Sequence, residues 1–143
     1  MLSHNEPCPH CGRYANRGVT IDAIIVKGGN ILLIKRGSEP FKGFWALPGG
    51  YVGWDETIAD AVRREVQEEL GVRAISVKEL GIYSDPKRHP KQCINIPHVV
   101  DIEGEPRAGD DAMEFKYFPL NATPELLAFD HKKLIQDYLT KRD

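Results

Sequence analysis

The chain has 143 residues, of which 41% are hydrophobic and 28% charged, so it can bury the core of one globular domain and is not a disordered chain. Its formal net charge of -2 gives no general attraction to nucleic acid, and no apolar run approaches the roughly 18 residues of a membrane span. Because residues 1–16 lack the apolar stretch of a signal peptide and three cysteines make no disulfide framework, we expect a cytoplasmic protein without membrane or nucleic-acid partners.

The first part of the chain predicts strands separated by turns. Residues 20–26 and 31–34 are β-branched, apolar runs on either side of a Gly-Gly-Asn turn at 28–30, which indicates a hairpin. The segment 44–47 extends briefly before a Pro-Gly-Gly sequence at 48–50 ends it.

A helix is predicted from residue 57 to residue 70, because apolar residues recur there every three or four positions. These positions are Ile58, Ala61, Val62, Val66 and Leu70. Thr57 with Asp60 resembles a capping box, and Gly71 stands where a left-handed C-terminal residue is needed.

The second half of the chain predicts three more strands and a final helix. The strand-like runs are 74–83, 93–102 and 114–118, with turn-forming residues at 84–90 and 104–111. Asp130 can cap a helix from His131 to about Lys141. Strands that flank two separated helices predict an α/β fold, an α/β/α sandwich with a mixed β-sheet.

Three glutamates of the first helix, Glu65, Glu68 and Glu69, lie on one helical face because they are three and four residues apart. One explanation is a solvated face, braced by Asp60, Arg64 and Glu68 at four-residue steps. However, Glu65 and Glu69 continue the apolar stripe and should point inward, where carboxylates act as ligands.

Carboxylate oxygens without nearby Cys or His suit hard divalent cations, so we expect Mg²⁺, with Mn²⁺ as an alternative. Such ions can neutralise a pyrophosphate and deprotonate a bound water, which predicts a hydrolytic reaction at phosphorus.

The segment 50–72 resembles the Nudix box, G-x5-E-x7-R-E-U-x-E-E-x-G-U with U aliphatic, and matches it at every defined position. The matching residues are Gly50, Glu56, Arg64, Glu65, Val66, Glu68, Glu69, Gly71 and Val72. The chain is therefore similar to Nudix hydrolases, with the family domain at 19–143 and a separate N-terminal segment at 1–18.

The resemblance implies that Glu65, Glu68 and Glu69 are the principal catalytic metal ligands, that the Gly49 carbonyl adds an oxygen, and that Arg64 orients a glutamate. It also implies that Glu56 braces the loop against the helix.

The general base stays open. Glu114 lies in a Glu-x-x-Tyr-Phe pattern, where relatives often place a late acidic ligand or base, and Asp111 is a nearby rival. A glutamate of the box is the third candidate, and a solvated acidic loop is the alternative explanation for Glu114 and Asp111.

Three segments, 81–88, 108–112 and 129–131, resemble small ADP-ribose pyrophosphatases, which implies cleavage of ADP-ribose to AMP and ribose 5-phosphate. Residues 89–93 depart from the Asp-Pro-Arg-Gly-His of that group. A nucleoside triphosphate or another dinucleotide therefore stays an alternative substrate, and a non-catalytic nucleotide sensor is a remote one.

Substrate contacts are predicted from side-chain chemistry. Arg36, Lys87 and Arg88 are candidates for the diphosphate, since the guanidinium groups of the two arginines bind phosphate oxygens bidentately. Surface solvation is the alternative for Lys87. The candidates for stacking on the base are Phe44, Trp45 and Tyr83. Packing in the core is the alternative for each aromatic residue.

Cys8 and Cys11, in Cys-Pro-His-Cys-Gly, resemble half of the zinc ribbon of related NADH pyrophosphatases. Four ligands make a complete site, and Cys93, His4 and His10 are the remaining candidates. Zn²⁺ and free thiols both stay open, a homodimer is compatible with the sequence, and we expect catalysis not to need this segment.

Overall fold

The structure is a computed structural model that describes residues 4–107 and 112–141. Its strands are β1 (Val19–Ile24), β2 (Val26–Lys27), β3 (Asn30–Arg36), β4 (Trp45–Ala46), β5 (Gly49–Tyr51), β6 (Arg73–Glu79), β7 (Ile94–Glu103) and β8 (Ala112–Pro119). Its helices are α1 (Ile58–Leu70) and α2 (His131–Lys141), with a short 3₁₀ helix at Pro86–Arg88.

The strands form two sheets. In the first, the order is β5-β1-β7-β6, and β1 runs antiparallel to β5 but parallel to β7, so this sheet is mixed as predicted. In the second, β3 pairs antiparallel with β2, β4 and β8. The second sheet begins inside the predicted run 20–26, because the chain leaves the first sheet after Ile24 and starts the β2–β3 hairpin at Val26.

The two sheets lie between the two helices. Along β3, Leu32 and Ile34 pack in the hydrophobic cluster that contains α1, whereas Ile31 and Leu33 pack in the cluster that contains α2. This alternation is expected for a strand that is buried on both faces. The layers therefore stack as α/β/α, which confirms the predicted fold class.

Helix α1 begins and ends as its sequence predicts. The Thr57 hydroxyl accepts a hydrogen bond from the Asp60 N–H (3.1 Å), and the Asp60 carboxylate accepts one from the Thr57 N–H (3.4 Å). Gly71 ends the helix with a φ of 67°, and its N–H donates to the Gln67 carbonyl. Ile58 is 36% exposed, so the buried stripe starts one turn later than predicted.

Helix α2 corrects the predicted role of one residue. The Asp130 carbonyl accepts a hydrogen bond from the Leu134 N–H (3.2 Å), but the Asp130 carboxylate binds Arg88 instead of capping the helix. Within residues 4–107 and 112–141, neither helix has the length and hydropathy that crossing a bilayer requires.

We predict that Thr57→Ala lowers the free energy of unfolding by about 1 kcal/mol, because the first turn of α1 loses its capping hydrogen bond. Thr57→Ser keeps the hydroxyl and serves as the control. Urea denaturation followed by circular dichroism measures both variants, and equal loss in the two would argue against the capping role.

Candidate active site

A cleft of about 790 Å³ opens beside α1 and combines acidic and basic side chains. Most of the residues predicted for the site line it: Arg36, Gly49, Arg64, Glu65, Glu69 and Arg88. Three lining residues that the sequence did not single out for the site, Asp22, Lys91 and His131, add a further carboxylate, a cation and an imidazole.

Glu69 carries a carboxylate that is withdrawn from water. Its Oε2 atom is buried and has no hydrogen-bond partner among the described residues. Burial and, secondly, the nearby Glu65 carboxylate raise the pKa of this carboxyl to about 9, although the Gly49 N–H offsets part of their effect. A buried, unpaired carboxyl oxygen is a group that a cation would satisfy.

Arg64 organises the acidic residues around it. Its Nε and Nη2 donate to the two oxygens of Glu56 (3.0 and 2.8 Å), and its Nη1 donates to Glu65 (2.8 Å) and Glu68 (3.3 Å). The Gly53 N–H also donates to Glu56 (2.6 Å). Arg64 and this N–H together lower the Glu56 pKa to about 2. The predicted bracing of loop and helix is thus present as hydrogen bonds.

The oxygen donors of this site fit a hard cation. A Cβ on Gly50 would lie 2.6 Å from the carboxyl carbon of Glu65, so only glycine lets that carboxylate approach the strand so closely. In the described part of the chain, no three His, Cys, Asp or Glu side chains are already arranged to hold a metal ion. Arg64 contacts only one oxygen of each neighbouring carboxylate, Glu65 Oε1 and Glu68 Oε2, so it can hold these side chains in place while they bind a metal ion.

A buried polar network supports the cleft from below. The Asn95 amide donates to Asp22 Oδ2 (2.7 Å), His131 Nε2 lies 3.0 Å from the same oxygen, and the Leu47 N–H donates to His131 Nδ1 (3.0 Å). Since Nδ1 accepts, the ring proton is on Nε2 and points to Asp22. The network ties α2 to β1 and to the segment before Gly49.

Two predicted phosphate-binding arginines differ in what else they contact. The Arg88 side chain is 4% exposed, and it donates to both oxygens of Asp130 (2.8 and 2.7 Å) and to the Cys93 carbonyl (3.1 Å). Arg36 has its guanidinium 5.0 Å from the centre of the Phe129 ring. Arg88 therefore has a structural role, whereas Arg36 keeps more donors for a ligand.

Trp45 and Tyr83, which were predicted to stack on the base, pack in the hydrophobic cluster that contains α2. The Tyr83 hydroxyl donates to Asp137 (2.7 Å), and the Trp45 ring meets Phe118 edge to face at 4.9 Å. Neither residue is among the described residues that line the cleft. These contacts favour the alternative of core packing for both, and the stacking role stays a prediction.

The candidates for the general base differ in whether they line the cleft. Glu114 has a side chain that is 54% exposed and lies 3.7 Å from Lys35, and it is not among the described residues that line the cleft. Asp111 lies outside the described residues. Of the box glutamates, Glu65 and Glu69 line the cleft, whereas Glu68 is exposed beside it.

Cys8 and Cys11 lie apart from Cys93. The backbone N–H groups of His10 and Cys11 lower the pKa of the Cys8 thiol, while Cys93 is buried with its sulfur 3.4 Å from the Tyr51 hydroxyl. Cys93 thus has a different environment, and the described residues offer no third ligand beside the pair. Zinc at Cys8 and Cys11 stays a prediction, as does the boundary at residue 18.

The fold and the carboxylate-lined cleft define a metal-dependent hydrolase. The NUDIX domain family matches residues 16–138, and the chain belongs to this family. It is 49% identical over 128 residues to the "ADP-ribose pyrophosphatase" of Methanocaldococcus jannaschii, an alignment that covers 88% of this chain and 75% of that protein.

Two solved structures share the fold. The MutT NUDIX hydrolase from Burkholderia pseudomallei has a TM-score of 0.79 at 30% identity and covers 85% of this chain and 98% of its own. A bifunctional NMN adenylyltransferase/ADP ribose pyrophosphatase from Francisella tularensis, complexed with AMP and a manganese ion, has a TM-score of 0.78 at 28% identity. That similarity covers 88% of this chain and 42% of the Francisella chain.

We predict that divalent metal binding at pH 7 releases about one proton, because Glu69, with a pKa of about 9, is protonated in the metal-free protein. Calorimetric titration with Mg²⁺ in two buffers of different ionisation enthalpy measures the release. It should fade above pH 9 and be absent in Glu69→Gln.

The raised pKa of Glu69 also makes the stability of the metal-free protein depend on pH. The Glu69 pKa is raised above its ordinary value of 4.5, so the contribution of this residue to the free energy of unfolding is fully present below pH 4.5 and is lost as the pH rises towards 9. A binding enthalpy for Mg²⁺ that is the same in both buffers would contradict a protonated Glu69. So would a free energy of unfolding that, relative to Glu69→Gln, rises between pH 4.5 and pH 9.

Proposed function

We propose that this protein hydrolyses the diphosphate bond of ADP-ribose and releases AMP and ribose 5-phosphate. The observation that carries the proposal is the 49% identity, over 88% of the chain, to a protein named as an ADP-ribose pyrophosphatase. The cleft supports it, because carboxylates for metal and a cation for phosphate line one cavity large enough for a nucleotide.

Glu65, Glu68 and Glu69 would hold the metal together with the Gly49 carbonyl, and Mg²⁺ is the proposed ion, with Mn²⁺ as a substitute. When bound, the metal supplies charge neutralisation at the diphosphate and a water of lowered pKa. Arg64 positions Glu65 through its 2.8 Å hydrogen bond.

Substrate binding and proton transfer would involve Arg36 and one of the same box glutamates. Arg36 would bind diphosphate oxygens, since its guanidinium lines the cleft and stays within reach of solvent. For the general base, the described geometry favours Glu65 or Glu69 over Glu114, because a base must lie within hydrogen-bond reach of the attacking water. Arg88 would act through the shape of the loop that it anchors.

Another nucleotide substrate is the second candidate. The chain departs from the ADP-ribose pattern at residues 89–93, and two of these residues, His89 and Lys91, line the cleft. A lysine near the phosphates would also suit a triphosphate. The box glutamates are all present, which argues against a sensor without catalysis, and a homodimer stays a prediction.

We predict that ADP-ribose has the highest kcat/KM in a panel that contains ADP-ribose, NADH, diadenosine polyphosphates and nucleoside triphosphates. Release of AMP should require Mg²⁺, with reactions in excess chelator as the control. A triphosphate that is preferred tenfold would instead favour the second candidate.

We also predict that Glu68→Gln lowers kcat by about two orders of magnitude, because it removes a charge where metal is held. Circular dichroism should be unchanged, since the Glu68 side chain is 59% exposed. Glu79→Gln, at an exposed position of β6, is the matched control. Turnover near that of the unmodified protein at saturating Mg²⁺ would exclude a ligand role for Glu68.

A further inference from the structure

A second cavity of about 480 Å³ adjoins the catalytic cleft. The two share three lining residues, Arg88, His89 and Phe129, so a ligand that leaves the cleft past these side chains enters the second cavity. The other walls are Phe41, Pro86, Pro90, the amide of Gln92 and one cation, Lys87.

Several residues around this cavity that are not glycine have a strained, left-handed backbone conformation. Among the described residues, four that are not glycine have a positive φ: Phe41 (64°), Asp55 (61°), Gln92 (56°) and Phe129 (53°). Three of these four line the second cavity. Aromatic residues seldom adopt this conformation, and strained residues cluster at ligand sites because packing around them holds a required shape.

The walls are fixed before any ligand arrives. Phe129 and His89 stack face to face, with ring centres 4.5 Å apart and planes 5° from parallel, and Phe41 meets Phe129 edge to face at 4.8 Å. Arg17 donates to the Gln92 carbonyl (2.6 Å), which anchors the backbone of that residue. The side chains are thus positioned by contacts that a ligand need not provide.

The aromatic and amide walls suit a flat ring with a polar edge, while Lys87 and Arg88 are cations at the same cavity. The Lys91 N–H donates to His89 Nδ1 (2.9 Å), so the imidazole carries its proton on Nε2. The Gln92 side chain is exposed and makes no hydrogen bond within residues 4–107 and 112–141. An amide presents a donor and an acceptor together, which matches the amino group and ring nitrogen of adenine.

We propose that this second cavity is the binding site for the adenine base of the substrate, with Phe41, His89 and Phe129 as its aromatic walls and Gln92 as the residue that recognises the edge of the base. The proposal rests on the proposed function for the identity of the base. It places the diphosphate at Arg36 in the cleft and the base beyond the His89–Phe129 pair.

Two variants and two product molecules test this subsite. Phe41→Ala removes an aromatic wall, and Gln92→Ala removes the amide but leaves the carbonyl that Arg17 holds. AMP carries the base and ribose 5-phosphate does not, so the dissociation constants of both, measured by calorimetry in the presence of Mg²⁺, separate the base from the phosphate. Ile75→Ala, an exposed apolar position on β6 that lines neither cavity, is the matched control.

We expect AMP binding to weaken about tenfold in Phe41→Ala and about fivefold in Gln92→Ala, because stacking and an amide contact are lost. Ribose 5-phosphate binding should stay within twofold, and KM for ADP-ribose should rise while kcat is little changed. If Phe41→Ala fails to fold, the dissociation constant of AMP for Gln92→Ala alone tests the subsite.

Unchanged AMP binding in a folded variant would overturn the subsite even if ADP-ribose is hydrolysed. Weaker ribose 5-phosphate binding with unchanged AMP binding would also overturn it, because the cavity would then hold the other half of the substrate. If ADP-ribose is not hydrolysed at all, the proposed function fails, while the AMP titration still gives a separate answer about the base.

Discussion

Repulsion among the carboxylates of α1 is the constraint on which the site depends. Like charges one turn apart cost about 0.2 to 0.5 kcal/mol each on an exposed helix and more when water is excluded, as it is at Glu69. In the metal-free protein, two features reduce this repulsion. Arg64 binds Glu65 and Glu68, and Glu69 keeps its proton because its pKa is about 9. A divalent ion that binds Glu69 has to displace this proton, so metal affinity is coupled to pH.

The rest of the fold holds these groups against one another. Gly49 pairs with Asp22 across β5 and β1, and a side chain at Gly49 would collide with the Asp22 carboxylate. Asp22 is in turn held by His131, whose other ring nitrogen accepts the Leu47 N–H (3.0 Å). The backbone that faces the glutamates is therefore positioned by α2, from the opposite side of the sheets. A substitution at His131 should therefore shift the backbone at Gly49, although His131 is not a proposed metal ligand.

Sequence predicts most where the determinants are local. The ends of α1 follow from Thr57, Asp60 and Gly71, which contact residues within one or two turns. Of the three glutamates in the family pattern, Glu65 and Glu69 line the cleft. The second sheet, the Asp22–His131 contact and the packing of Tyr83 depend on residues distant in the chain, whose proximity no local pattern encodes. One signal was available, since Asp22 interrupts an apolar strand, and a buried acid in a strand requires a partner.

The second cavity has no local sequence signal either. Its walls come from three separate loops, near residues 41, 86–92 and 129, and their positive φ values are set by tertiary packing. Each strained residue costs on the order of 1 kcal/mol or more, so the surrounding contacts must exceed that cost. Arg88 supplies such contacts, because its buried pair with Asp130 ties the loop to α2 while its N–H to the Cys93 carbonyl holds the other end. The buried arginine is thus better explained as the support of a shaped pocket than as a phosphate ligand.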